Sequence, residues 1–69
     1  MDPVTKDLMS RKEEIIKELE LLFKANMKIT DWDVPEADDR RAAQILLEIL
    51  REGVERIEAD VRAGKYDRY

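Results

Sequence analysis

The sequence predicts an all-α protein, an antiparallel helical hairpin that dimerises into a four-helix bundle, and three observations carry this expectation. Apolar residues recur at helical spacing through two long stretches of the chain. Charged residues make up 43% of the chain and aromatic residues 6%, a balance typical of long amphipathic helices and coiled coils and poor in strand formers. Between the two stretches lies one cluster of capping and helix-breaking residues, Asp33-Val34-Pro35-Glu36.

The first helix is expected over about residues 3–28. Asp2 is a good N-cap and Pro3 is tolerated in a first turn. Val4, Leu8, Ile15, Leu19, Leu22 and Ile29 fall on one face, and Met9, Ile16 and Phe23 form an adjoining column at heptad spacing. The apolar arc is therefore roughly 150° wide, enough to touch two neighbouring helices. Two polar residues interrupt it, Lys12 between Met9 and Ile15 and Asn26 between Leu22 and Ile29. Polar residues in a helical seam set register or oligomeric state, which is the role expected of both; a polar ligand pocket is the alternative. Antiparallel pairing would bring Glu48 and Glu52 near Lys12.

A loop is expected over about residues 29–33, with Asp33 capping the second helix and Glu36 closing a capping box. Trp32 in this loop would cover the end of the core, or, if exposed, would anchor a partner protein together with Val34. The second helix is expected over about residues 34–63, stopped by Gly64, with a flexible tail over 64–69. In it Ala43, Leu47, Leu50, Val54, Ile57 and Val61 follow a 4-3-4-3-4 spacing and form a stripe that can pack on the first helix. Ala42, Ile45, Leu46, Ile49 and Gly53 form a second stripe beside it. Together they make an arc of roughly 200°, more than one partner helix covers, so the second stripe is the expected self-association interface. Gly53 costs about 1 kcal/mol relative to Ala inside a helix, which either close approach of a crossing helix or simple tolerance of the glycine would explain.

Size points the same way. A chain of 69 residues forms a single domain whose own core yields only a few kcal/mol, and small domains are usually supplemented by disulfides, a metal or oligomerisation. The chain has no Cys and no His, which excludes disulfides, Cys or His zinc sites, thiol nucleophiles and His-based catalysis. A net charge of -4 opposes binding to nucleic acid or anionic membrane through the overall field. No apolar run approaches the roughly 18 residues a bilayer requires, and no leader pattern opens the chain, so a cytoplasmic location is expected.

Carboxylates are the abundant reactive groups, in clusters at Glu13, Glu14 and Glu18 and at Glu48, Glu52, Glu55 and Glu58. The run Glu13-Glu14-Ile15-Ile16-Lys17-Glu18 with the later Glu55-Arg56-Ile57-Glu58 resembles the EExxE and ExxD motifs of MazG-type nucleotide pyrophosphohydrolases. That resemblance would imply magnesium held on helices of a bundle. It departs at Lys17, where a third carboxylate belongs, and at Glu58, which stands for Asp. Helical salt bridges of Glu13 with Lys17, Glu20 with Lys24, Glu52 with Arg56 and Glu58 with Arg62 are expected instead. Lys6, Lys17, Lys24 and Lys28 share the outer face of the first helix. The predicted architecture, without any shared motif, resembles that of the plasmid copy-number regulator Rop, which would imply RNA binding through such a face. Glu13 and Glu20 interrupt the lysines and no aromatic residue interleaves with them. The expected function is therefore a non-enzymatic interaction, assembly or regulatory module acting through helical faces. Its expected partner is a second copy or another protein, with no cofactor, metal or small-molecule substrate.

Overall fold

A computed structural model describes residues 2–36 and 38–69, and those residues form three helices: α1 (Pro3–Ser10), α2 (Lys12–Asp33) and α3 (Asp39–Arg62). No strand occurs among the described residues.

α1 starts as its sequence dictates. Asp2 Oδ1 accepts the Thr5 N–H at 2.9 Å, and the Thr5 hydroxyl donates to Asp2 Oδ2 at 2.7 Å. The Thr5 N–H, followed by its hydroxyl, holds the Asp2 carboxyl below its ordinary pKa. The helix expected to run unbroken to residue 28 is interrupted at Arg11, for a local reason. Ser10 Oγ donates to the Asp7 carbonyl at 2.6 Å, the acceptor that the Arg11 N–H would use in an α-helix. The Arg11 N–H turns to the Leu8 carbonyl at 3.1 Å, and φ, ψ at Arg11 become -106°, 8°. An ion pair between Arg11 and Asp7 at 3.1 Å spans the bend.

α2 then continues past the expected loop at 29–33 and ends at Val34. Nothing from Ile29 to Asp33 breaks a helix; Pro35 does, because it lacks an N–H and forces the residue before it away from helical angles. Val34 sits at φ -130°, ψ 83°, and its N–H closes the last turn on the Thr30 carbonyl at 2.8 Å. That extended Val34 is incompatible with a helix starting at residue 34, so the Asp33–Glu36 capping box does not form. Asp38 caps instead, its Oδ1 accepting from the N–H groups of Arg40 at 3.0 Å and Arg41 at 3.3 Å. Replacing Asp38 with Ala is expected to cost about 1 kcal/mol of helix stability. Asp33→Ala should be neutral or stabilising by roughly 0.3 kcal/mol, because it removes a negative charge from a helix C-terminus. Thermal melts followed by circular dichroism measure both, and the opposite ranking would restore the cap to Asp33.

α3 stops in a Schellman motif: the Gly64 N–H meets the Val61 carbonyl at 3.1 Å and the Lys65 N–H meets the Asp60 carbonyl at 3.0 Å. Gly64 has φ 80°, a left-handed angle costly for any residue with a Cβ. Beyond it the Asp67 N–H turns back to the Gly64 carbonyl at 3.2 Å, and the rings of Tyr66 and Tyr69 stand 5.7 Å apart.

α2 and α3 touch along their apolar sides. One groove between them is lined by Leu19, Phe23, Leu47 and Leu50, and a second by Leu19, Leu50 and Val54. Along α3 the half-buried line is Ala42, Ala43, Leu46, Leu50 and Gly53, whereas Leu47 and Val54 remain 43% and 58% exposed. Yet no described residue is buried; Phe23, Met27, Ala43, Leu46 and Leu50 reach only the half-buried range. The Cα radius of gyration is 15.9 Å over extents of 49 × 27 × 17 Å, where a compact chain of this length would give about 11 Å.

Candidate interaction surface

Thr30, Asp38, Arg41, Ala42, Ile45, Leu46 and Ile49 line an open groove of about 280 Å³ where the end of α2 meets the start of α3. Four of these residues are the second stripe read from the sequence. Ala42 and Leu46 are half-buried on its floor, whereas Ile45 and Ile49 stand 42% and 56% exposed. Gly53 continues the stripe one turn beyond, and a Cβ there would meet no atom within 4 Å. The structure adds what the apolar pattern did not show: a charged rim, formed by Asp38 and Arg41. A helical wheel extended to the charges flanking the stripe would have found both.

The polar residues of the first apolar arc behave differently from one another. Asn26 is half-buried and spends its Nδ2 on its own helix, donating to the Leu22 carbonyl at 2.9 Å. Lys12 begins α2 directly after the bend and forms no ion pair with Glu48, Glu52 or another described carboxylate. Glu52 instead pairs with Arg56 at 3.1 Å. Glu58 pairs with Arg62, and Lys65 with Asp60 at 3.5 Å. The pairs expected of Glu13 with Lys17 and Glu20 with Lys24 are absent among the described residues.

Trp32 lies on the last turn of α2 rather than in a loop, and is 86% exposed, so it does not cap a core; Val34 beside it is 44% exposed. The α2–α3 junction beside it carries five carboxylates, Asp31, Asp33, Glu36, Asp38 and Asp39. Asp31 reaches Asp39 across the α2–α3 junction, and their shared hydrogen bond, followed by the Asp31 charge, raises the pKa of Asp39. A raised carboxylate pKa means that the folded chain binds the proton more tightly than the unfolded one. The ionised pair therefore opposes folding near neutral pH, and the opposition fades as pH falls through the folded pKa of Asp39. Asp2 has the opposite sign: its contribution holds above the ordinary carboxylate pKa and is lost below it. Asp31→Asn removes the repulsion and also a negative charge at the C-terminus of α2. It should raise the melting temperature at about pH 7 and converge on the wild type in acid. An unchanged melt at neutral pH would show the two carboxylates to be independent.

No group of three or more described carboxylates gathers closely enough to hold a metal ion. The lysine face is divided by the bend, with Lys6 on α1 and Lys17, Lys24 and Lys28 on α2; Glu20 and Leu21 lie between Lys17 and Lys24 on its surface. No helix among the described residues is long and apolar enough to cross a membrane. No protein-family model, curated protein or solved structure matches the chain.

Proposed function

We propose that the chain is a helical interaction and assembly module, a two-helix hairpin that is one half of a four-helix bundle and whose fold is completed by association through the groove on α3. The observation that carries this reading is the exposed apolar surface. The chain exposes 6625 Å², whereas a compact monomer of its 8.2 kDa exposes about 4,500 Å². Two such chains would carry an excess of about 4,000 Å², within the range buried by obligate homodimers. The excess includes Leu8, Leu19, Leu22, Ile45, Ile49 and Val54, each at least 42% exposed. Apolar side chains left in water contribute nothing to offset the entropy of ordering the chain, so a partner surface is what makes this fold stable.

On this reading, activity consists of presenting helical faces rather than transforming a substrate. Sedimentation equilibrium of the pure protein over a hundredfold range of concentration tests it. A two-chain mass that falls to a single-chain mass on dilution, with parallel loss of helical circular dichroism, is the expected result. A single-chain mass at every concentration, with full helicity and cooperative melting, would overturn it.

A further inference from the structure

We propose that the occupant of the α3 groove is a second copy of this chain, docked with the two α3 helices antiparallel about a twofold axis level with Leu46 and Leu47. The inference rests on the reading above and adds to it a partner and a register. It is argued from charge and side-chain size along α3, the helix that runs from Asp39 to Arg62.

On α3 the half-buried line runs through Ala43, Leu46, Leu50 and Gly53, with Ile45 and Ile49 on one flank of it and Leu47 and Val54 on the other. On the Ile45 and Ile49 flank lie Asp38, Arg41, Glu52 and Arg56, all within about 90° of the centre of the stripe of Ala42, Ile45, Leu46, Ile49 and Gly53. Along the chain this edge reads negative, positive, negative, positive. In an antiparallel twofold pair each edge meets the same edge of its partner, running in reverse. The pattern then matches itself. Arg41 comes level with the partner's Glu52, within about two residue rises, and Asp38 with the partner's Arg56. The twofold doubles both pairs. A parallel docking would place the two charged edges on opposite sides of the seam, so neither ion pair could form.

The same register also matches size. Leu46 and Ile45 meet the partner's Ile49 at the centre, and at each end Ala42 comes level with the partner's Gly53, small against small. The space beside Gly53, where a Cβ would meet nothing within 4 Å, is where that close approach occurs. Past Arg56 the stripe loses its apolar character: Asp60 occupies the next position on it and is paired with Lys65 at 3.5 Å. The seam therefore ends where the charges end. Arg56 and Glu52 pair with each other at 3.1 Å within one chain, with side chains 78% and 61% exposed, which leaves both open to a second ion pair.

Two charge-reversed chains test this. Arg41→Glu alone makes both copies of the Arg41 pair repulsive, and Glu52→Arg alone does the same from the other side. Each is expected to weaken self-association by roughly tenfold to a hundredfold. Mixed one to one, the two variants regain both attractive pairs in the mixed dimer, which native mass spectrometry should show displacing either homodimer. Circular dichroism checks that each variant is as helical as the wild type at the same degree of association. A wild type of single-chain mass overturns the association reading and this inference together. A wild-type dimer, with variants that associate as tightly as it does or that form no excess of mixed dimer, overturns the register and leaves the association reading standing.

Discussion

The double substitution Leu46→Glu with Ile49→Glu is expected to convert the protein to a single-chain species at concentrations where the wild type is associated. Burying a Leu or Ile side chain contributes about 1.5–3 kcal/mol, and the twofold counts each position twice. Introducing a carboxylate adds the cost of desolvating a charge with no partner on the stripe. The dissociation constant should therefore rise by at least roughly a thousandfold. Within one chain the cost is small. Ile49 is already 56% exposed, Leu46 is only half-buried, and Glu is close to Leu in helix propensity. Sedimentation equilibrium should thus show a single-chain mass, with helical circular dichroism no lower than that of the wild type diluted to the same mass. If the variant keeps the wild-type mass, the seam lies elsewhere.

Gly53 gives the second large effect, because two opposing expectations meet at one residue. In the isolated chain a Cβ at Gly53 meets nothing within 4 Å, so Gly53→Leu should strengthen α3 by about 1 kcal/mol through helix propensity alone. Across the proposed seam the same side chain intrudes on Ala42 of the partner subunit, and overpacking of that kind costs about 1–3 kcal/mol at each of two symmetric sites. The expected outcome is a chain with higher helicity on dilution and weaker association than the wild type. Gly53→Ala should fall between the two. Association unaffected by Gly53→Leu would mean that Gly53 is merely tolerated, with no helix crossing beside it.

How far the sequence could be read depended on the range of the interaction involved. The start of α1 at Asp2 and Pro3 and its bond to Thr5 are contacts within three residues, and they followed from residue type. The stop at Gly64 is equally local. The bend at Arg11 was missed because it turns on a competition between the Ser10 hydroxyl and the Arg11 N–H for the Asp7 carbonyl, which residue type alone does not decide. The junction was misplaced by five residues for a related reason. Asp33 and Asp38 are both good caps, and the choice between them went to Pro35 through the angles it imposes on Val34. Trp32 changed character with it, from a loop residue over a core to an exposed side chain on a helix end.

Helical content and two apolar stripes on the second long helix were determined by the sequence itself, because periodicity and composition are properties of the chain. Only the tertiary structure decided which residues of the two stripes are half-buried within the chain. The spacing of Leu47, Leu50 and Val54 and that of Ala42, Ile45 and Ile49 are both helical, and nothing in either pattern says which will meet α2. That follows from where Val34 and Pro35 turn the chain, which leaves Ala43, Leu46, Leu50 and Gly53 half-buried and Ile45 and Ile49 on one side and Leu47 and Val54 on the other largely open to water.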